Sequence, residues 1–181
     1  MSSLFTVKVF FRGDWCPWCS GYLKDFNNQA LNKIQSLGGQ VIGITSQVGN
    51  QSKEKLGLNF DIQVDEENIE AKKYGIFVTP KSETPFKDVD GIYPNGMAQP
   101  GVIIEDSEGQ VLYKWAIVPS EMNLGGASDR PLVAHIVSSL EEILQGQESG
   151  ESFNTTDMDY LKLHHPEEYK KVLAYIASLS T

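Results

Sequence analysis

The sequence predicts an α/β protein in which a mixed β-sheet is flanked by helices. Residues 5–75 alternate apolar, β-branched segments with amphipathic ones, which is typical of parallel strands joined by helices. Residues 101–115 form two apolar segments around Asp106-Ser107-Glu108-Gly109, which indicates an antiparallel hairpin. Residues 131–144 then show helical spacing of their apolar side chains. The predicted order is therefore βαβ, a further helix, ββα, and a C-terminal helical tail.

The individual elements follow from side-chain patterns. β-branched and aromatic residues mark strands, and apolar residues three and four positions apart mark helices. Pro17 suits a first helical turn, Gly38-Gly39 suits a helix end, and Asp65 is a plausible N-cap. Lys8 lies mid-strand, and we expect its side chain to extend outward near a strand end. The predicted strands are 5–11, 40–45, 60–64, 101–105 and 110–115, and the predicted helices are 17–37, 48–57, 66–74, 131–144 and the segment from Pro166.

Two other stretches have different patterns. Residues 76–100 contain four of the eight prolines and no clear period, which predicts a long functional loop. Residues 145–157 are predicted to be a polar linker, dividing a domain at 1–146 from a tail at 147–181. The tail helix has an apolar stripe that either packs on the domain, which we favour, or forms a homodimer or partner surface. The stripe consists of Tyr169, Val172, Leu173, Ile176 and Leu179.

Composition excludes several classes of function. The chain has 181 residues, 40% of them hydrophobic and 22% charged, which is not a disordered or membrane profile. Its net charge of −9 opposes binding to nucleic acid and to anionic membranes. The N-terminus lacks the basic and small-residue features of a signal peptide, so we expect a cytoplasmic protein.

The two cysteines, Cys16 and Cys19, are three positions apart at a predicted strand-to-helix junction. Cys16 precedes the helix, where free N–H groups and the positive end of the dipole stabilise a thiolate. Cys19 would lie one turn later, about 5–6 Å away, which small adjustments bring within disulfide range. We therefore expect an exposed, attacking Cys16 and a more buried, resolving Cys19. Arg12 would add positive charge at this site, and Asp14 would oppose it.

The residues around the cysteines have expected roles. Pro17 stiffens the turn, and Trp15 and Trp18 would form a contact surface for a substrate. Structural zinc is disfavoured because it needs four ligands, and the histidines lie far away in sequence, at 135, 164 and 165. No metal or other cofactor is expected, since the two sulfurs carry the electrons. An inert thiol pair is the remaining alternative.

Several segments resemble the AhpC/TSA family, the peroxiredoxin-like branch of the thioredoxin superfamily. The strongest resemblance is Phe10-Phe11-Arg12-Gly13-Asp14-Trp15-Cys16-Pro17-Trp18-Cys19, the active-site segment. Residues 60–76 resemble the family's "D…A..YG" segment, and residues 99–109 resemble its late hairpin. The resemblance covers roughly residues 5–145 and implies a thioredoxin-like fold.

The resemblance also implies further site residues. Pro100 resembles the proline, often cis in relatives, that opens the strand facing the disulfide, so Gln99 and Pro100 are expected in substrate binding. Arg130 resembles the arginine that peroxiredoxins bring beside the reactive sulfur. Its alternative, which we favour on the sequence alone, is a surface arginine at a helix start beside Asp129.

The chain departs from the family at three positions near the first cysteine. Gly13 replaces the threonine that holds the peroxide, and Val9 replaces an upstream proline. Phe10 stands where many thioredoxins have a buried acid. These departures disfavour efficient peroxide reduction.

Three functions remain open at this point. The first is a thiol–disulfide oxidoreductase that acts on protein or small-molecule thiols and disulfides. The second is a thiol peroxidase, with Cys16 peroxidatic and Cys19 resolving. The third is a catalytically silent binding module, which an intact cysteine pair disfavours because such a module needs neither thiol.

Overall fold

A five-stranded mixed sheet forms the centre of the fold in the computed structural model, which describes residues 3–148 and 155–179. The strands are β1 (Phe5–Phe10), β2 (Gly39–Thr45), β3 (Asp61–Val64), β4 (Val78–Thr79), β5 (Met97–Ala98), β6 (Gly101–Asp106), β7 (Val111–Ala116), β8 (Arg130–Pro131) and β9 (Thr155–Thr156). The sheet order is β3-β2-β1-β6-β7. Strands β1, β2 and β3 run parallel, and β6 is antiparallel to both β1 and β7. The predicted fold class is confirmed.

Helices cover both faces of this sheet. They are α1 (Pro17–Asp25), a π-helical turn (Phe26–Ala30), α2 (Leu31–Ser36), α3 (Ser52–Leu56), α4 (Ile69–Lys73), α5 (Val89–Ile92), α6 (Val133–Leu144), α7 (Met158–His164) and α8 (Pro166–Leu179). The larger core lies between the sheet and α1, α2 and α6, and the smaller core lies beneath α4 on the other face. Within the described ranges, no helix is both long and apolar enough to cross a membrane.

The first predicted helix contains a π-helical turn for a geometric reason. Tyr22, Phe26, Ala30 and Ile34 are each four residues apart, and all four are buried. In a regular α-helix of 3.6 residues per turn, such a stripe rotates by about 40° at each step. The wider π turn at Phe26–Ala30 offsets this rotation and keeps the stripe facing the core.

Asp65 caps α4, although the helix begins later than predicted. Its carboxylate accepts hydrogen bonds from the backbone N–H groups of Ile69 and Ala71 at 2.8 and 3.0 Å. The delay comes from Asn68, whose backbone is left-handed with φ 57°. The Asn68 side chain compensates for this unusual backbone by donating to the carbonyl of Asn95 at 3.0 Å.

The expectation that Lys8 extends toward solvent is wrong. Its ammonium group pairs with Glu70 at 2.9 Å and with Glu105 at 2.8 Å. It also contacts the Tyr74 hydroxyl at 2.6 Å, and Lys73 pairs with Glu105 at 2.8 Å. These five residues, called the Lys8 cluster below, lie on the α4 side of the sheet. The mid-strand lysine is tolerated there because carboxylates neutralise it.

The C-terminal part contains more structure than predicted. Helix α7 was not predicted, and Thr155–Thr156 of the predicted linker form β9, paired with β8. Residues 149–154 of that linker lie outside the described residues. The predicted packing of the α8 stripe is partly correct, because Val172 is buried whereas Leu179 is 68% exposed. The division of the chain at residue 146 stays a prediction.

The loop at 76–100 is also more ordered than its composition indicated. Strands β4 and β5 pair across it in antiparallel fashion. A 3-10 turn (Lys81–Glu83) and α5 lie between them. Met97 and Ala98 at its end are buried, so this loop is anchored beside the start of β6.

Candidate redox-active site

Cys16 occupies the N-cap of α1, at the junction that the sequence predicted. Its backbone is extended, with φ −82° and ψ 111°, and Pro17 takes the first helical position. The Cys16 sulfur accepts a hydrogen bond from the backbone N–H of Cys19 at 3.3 Å. The end of the helix therefore points a free N–H directly at this sulfur. Both cysteines are free thiols in this structure.

The electrostatic environment shifts the pKa values of the two thiols in opposite directions. Burial acts to raise the pKa of Cys16, but a hydrogen bond from the Cys19 thiol and the charges of Arg12 and Arg130 hold it well below its ordinary value. The closest of these charges is Arg12, whose Nη2 lies 3.2 Å from the Cys16 sulfur. Burial and the neighbouring Cys16 raise the pKa of Cys19 well above its ordinary value. The arrangement thus favours a thiolate at Cys16 and a protonated thiol at Cys19.

Asp14 does not oppose Arg12 as the sequence suggested. Its carboxylate pairs with Lys55 at 2.7 Å. It also accepts a hydrogen bond from the Gln47 side chain at 2.8 Å. Burial acts to raise the pKa of Asp14, but Lys55 and Gln47 lower it overall. Its negative charge is therefore neutralised within its own loop.

The expectation of an exposed Cys16 is wrong. Cys16 and Cys19 are 0% and 1% exposed, and both belong to the larger core. A cavity of about 840 Å³ lies beside the cysteine segment, and its wall includes Arg12, Trp15, Pro17 and Trp18. A substrate reaches the sulfur only if part of this wall moves.

Helix α8 forms the opposite wall of the cavity through Lys171, Val172, Tyr175, Ile176 and Leu179. Nothing in the sequence indicated that this helix approaches the cysteines.

Polar contacts join helices α7 and α8 to α1, in addition to the apolar packing of Leu161 and Val172 in the larger core. Asp25 accepts a hydrogen bond from Tyr160 and contacts His165 Nε2, both at 2.9 Å. Lys24 pairs with Glu168 at 2.7 Å. These contacts hold the two C-terminal helices against α1.

The AhpC/TSA family matches residues 5–114, which is more than half of the chain.

The chain belongs to the AhpC/TSA family.

A comparison with curated proteins found no match. The similar solved structures include a Xylella fastidiosa PrxQ mutant, with 15% identity, 77% of each chain covered and a TM-score of 0.54. They also include a reduced Plasmodium vivax 2-Cys peroxiredoxin, with 14% identity, 78% of each chain covered and a TM-score of 0.54. A Xanthomonas campestris bacterioferritin comigratory protein has 17% identity, 80% of each chain covered and a TM-score of 0.54. At these identities the likeness concerns the fold.

Arg130 of this AhpC/TSA protein lies inside the molecule, so the surface alternative is wrong. It is 1% exposed, and its Nη2 lies 3.7 Å from the sulfur of Cys19. Its Nη1 donates to the carbonyl of Ala127 at 2.7 Å, and its guanidinium lies 5.6 Å from the centre of the Tyr22 ring. The structure thus brings Arg130 to the second cysteine, and Arg12 to the first.

Gln99 and Pro100 open β6 near the same cavity, and Gln99 contributes to its wall. Pro100 is preceded by a trans peptide, since the described residues contain no cis bond. Gln99 is 1% exposed, and its Nε2 donates to the Thr79 hydroxyl at 2.8 Å. Its Oε1 is buried without a hydrogen-bond partner.

A side chain at Gly13, where the family resemblance implies a threonine, would collide with its neighbours. A Cβ at Gly13 would lie 2.4 Å from the Tyr93 hydroxyl, 2.5 Å from Gln47 Oε1 and 2.6 Å from Trp15 Nε1. Buried Tyr93 donates to the carbonyl of Arg12 at 2.7 Å and accepts from Trp15 at 2.7 Å. The side chains of Tyr93, Gln47 and Trp15 therefore enclose the backbone of Gly13 closely.

Tyr93 is the site residue that sequence reasoning missed most clearly. It comes from the long loop at 76–100, and its ring lies 5.3 Å from that of Phe86. Phe86 in turn contacts Trp15 edge-on at 5.0 Å. The aromatic residues inside that loop were the one available signal, but nothing in their spacing indicated which segment they would contact.

Proposed function

We propose that this chain is a thiol–disulfide oxidoreductase that cycles Cys16 and Cys19 between dithiol and disulfide. The observation that carries the proposal is the set of contacts at the Cys16 sulfur. It accepts from the Cys19 N–H at 3.3 Å and from Arg12 at 3.2 Å. Such contacts stabilise the thiolate, which is the reactive form of cysteine. The AhpC/TSA match is consistent with a thiol-dependent redox role.

The two thiols react in a fixed order, because Cys16 has the lowered pKa and Cys19 the raised one. The Cys16 thiolate attacks one sulfur of a substrate disulfide, forms a mixed disulfide and releases one substrate thiolate, which takes a proton. Cys19 then loses its proton and attacks the Cys16 sulfur. This second step releases the other substrate thiol and leaves a Cys16–Cys19 disulfide. The substrate gains two electrons, and the protein loses two.

The surrounding residues would guide this exchange. Trp15, which is 38% exposed, forms part of the cavity wall with Pro17 and Trp18. Gln99 forms the wall near β6, with Pro100 next to it in the chain. Arg12 and Arg130 act as accessory cations, one at each sulfur. Because both sulfurs are buried, exchange also requires a movement that uncovers Cys16.

A thiol peroxidase is the second candidate, and the burial of Cys16 between two guanidinium groups favours it. A peroxide is small enough to enter where a disulfide cannot. Cys16 would attack the O–O bond, become a sulfenic acid and release water or an alcohol. Cys19 would then displace water and close the disulfide. Alkyl peroxide reduction is the activity described for the related Xanthomonas campestris structure.

Single-turnover oxidation tests both candidates. The reduced wild type, Cys16→Ser and Cys19→Ser are each mixed with a small disulfide or with hydrogen peroxide. The proposal expects fast disulfide exchange that needs Cys16, and a mixed disulfide that accumulates in Cys19→Ser. Faster reaction with peroxide, dependent on Cys16 and not on Cys19, would select the peroxidase. Inertness of the wild type to both reagents would overturn the two candidates together.

A further inference from the structure

The cavity beside the dithiol is larger than a reacting bond requires. Its volume of about 840 Å³ lies in the range of sites that hold whole organic molecules. Its wall is mostly apolar and aromatic, with Trp15, Trp18, Phe86, Met97 and Tyr175 among the residues that form it. A substrate that fills it therefore has apolar groups on either side of the bond that reacts.

Two buried polar atoms on this wall have no hydrogen-bond partner. They are the Oε1 of Gln99, which is an acceptor, and the Nε of Arg12, which is a donor. Another nitrogen of each side chain has a partner, since Gln99 Nε2 donates to Thr79 and Arg12 Nη2 contacts Cys16. Buried polar groups usually find partners, so these two indicate a ligand that supplies a donor and an acceptor.

The residue next to the side-chain oxygen of Gln99 is Gly126, which has no side chain to occupy the space around that oxygen. A Cβ at Gly126 would lie 2.7 Å from Gln99 Oε1, so no other residue fits there. Residues 124–126 all have left-handed backbone, and two of the three are glycines. A small shift of this glycine turn would open the oxygen to the cavity.

A buried donor and a buried acceptor on the wall of one cavity match the two polar groups of a peptide backbone. We propose that the substrate is a cystine-containing peptide with apolar neighbours, whose cysteine N–H donates to Gln99 Oε1 and whose carbonyl accepts from Arg12 Nε. This inference rests on the proposed disulfide exchange and names its substrate class. Gln99 is then the residue that distinguishes peptide disulfides from simple ones.

The chemistry of the step is the exchange already described. The Cys16 thiolate attacks the peptide's S–S bond, and one peptide leaves as a thiolate that takes a proton. Cys19 releases the second peptide as a thiol. The peptide disulfide is the oxidant in this reaction, and no further reagent is needed.

Three probe disulfides test the assignment. The first joins two copies of acetyl-Leu-Cys-Leu-amide. The second is the same peptide with its cysteine nitrogen methylated, which removes the N–H donor. The third, bis(2-hydroxyethyl) disulfide, has neither a peptide unit nor an apolar body. The rate constant for mixed-disulfide formation is measured in the Cys19→Ser background, with and without Gln99→Leu.

Gln99→Leu is expected to slow the first probe about tenfold, the factor that one lost hydrogen bond to substrate typically costs. The second and third probes should change less than twofold. Without Gln99→Leu, the methylated peptide should itself react about tenfold more slowly than its parent, which tests the hydrogen bond even if Gln99→Leu folds poorly. Equal slowing of all three probes, or no slowing of the first, would overturn the assignment.

A matched control is available at Gln40. Its Nε2 also donates to a threonine hydroxyl, that of Thr6 at 3.0 Å, but it lies at the other end of the sheet. Gln40→Leu should leave all three rates unchanged.

If no probe exchanges, the proposed function fails, and the inference is tested separately. Acetyl-Leu-Ser-Leu-amide, which cannot react, is then titrated while tryptophan fluorescence is recorded. Binding that weakens about tenfold in Gln99→Leu keeps the assignment, and absence of binding removes it.

Discussion

Two clusters of buried charge lie on opposite faces of the same sheet, and their partners differ. On the α4 side, Lys8 pairs with Glu70 and Glu105, so cations and carboxylates are matched. On the α1 side, Arg12 and Arg130 contact the sulfurs of Cys16 and Cys19. A thiol is neutral unless it ionises, so these guanidinium groups favour ionisation of a nearby sulfur.

Burial of charge therefore serves two purposes in this molecule. In the Lys8 cluster, every group is charged at neutral pH apart from Tyr74, and its carboxylates and ammonium groups neutralise one another. Removing one partner there leaves an uncompensated charge and costs stability. At the dithiol, a thiolate at Cys16 offsets part of the positive charge of the two guanidinium groups, whereas two neutral thiols offset none of it. The Lys8 cluster should therefore determine the stability of the fold, and the two arginines should determine the reactivity of Cys16.

Glu105→Gln is expected to have the largest effect on stability. It leaves Lys8 without its closest carboxylate and should lower the free energy of unfolding by on the order of 3 kcal/mol. The rate at which iodoacetamide alkylates Cys16 should stay unchanged. Urea unfolding and alkylation kinetics measure the two quantities, with exposed Glu54→Gln as the control. Loss of reactivity together with stability would contradict the division between the clusters.

The free energy of unfolding should depend on pH through the ionisation of Glu105 in the Lys8 cluster. Burial acts to raise the pKa of Glu105, but hydrogen bonds from Lys73, Lys8 and Tyr74 lower it to about 2. A depressed carboxyl pKa stabilises the fold above the unfolded-state value, near 4.5, and this stability is lost as pH falls toward about 2. Wild type should lose on the order of 3 kcal/mol over that interval. Urea titrations should show a smaller loss in Glu105→Gln, and an equal loss in both proteins would contradict the assignment.

Arg12→Met should affect reactivity more than stability. It removes the cation 3.2 Å from the Cys16 sulfur, so the pKa of Cys16 should rise and alkylation at neutral pH should slow roughly tenfold. Lys55→Met is the matched control, since Lys55 pairs with Asp14 in the neighbouring loop. An alkylation rate in Arg12→Met equal to that of wild type would show that the helix end alone activates the sulfur.

The smallest effect is expected at an exposed ion pair outside both clusters. Lys170 pairs with Glu167 one turn away on α8, and both side chains are largely exposed. Lys170→Ala should change the free energy of unfolding by less than about 0.5 kcal/mol and should leave alkylation unchanged. A larger change would show that surface charge on α8 contributes to holding this helix in place.

The parts of the fold that were predictable are those whose signal is local. Strand β1, helix α1 and the position of Cys16 at their junction follow from alternation, spacing and Pro17 within a few neighbouring residues. The hairpin of β6 and β7 follows from its turn residues in the same way. The π turn was hidden because a spacing of four fits either kind of helix over short distances.

The parts that were not predictable depend on contacts between distant segments. Arg130 reaches Cys19 from 111 positions away, and a single arginine beside Asp129 has no local sign of burial. Tyr93 and α8 approach the dithiol through the long loop and the C-terminal helices, whose placement depends on the finished core. The exposure of Cys16 was mispredicted for the same reason, since the segments that bury it are remote in sequence.

The central claim is that Cys16 is a thiolate at neutral pH while Cys19 keeps its proton. Ultraviolet absorbance of thiolates, followed as pH is raised in reduced wild type, Cys16→Ser and Cys19→Ser, measures this directly. Wild type and Cys19→Ser should already contain one thiolate at pH 7, and Cys16→Ser should contain none. Absence of any thiolate until pH approaches the ordinary cysteine pKa, near 8.5, in all three proteins would contradict it.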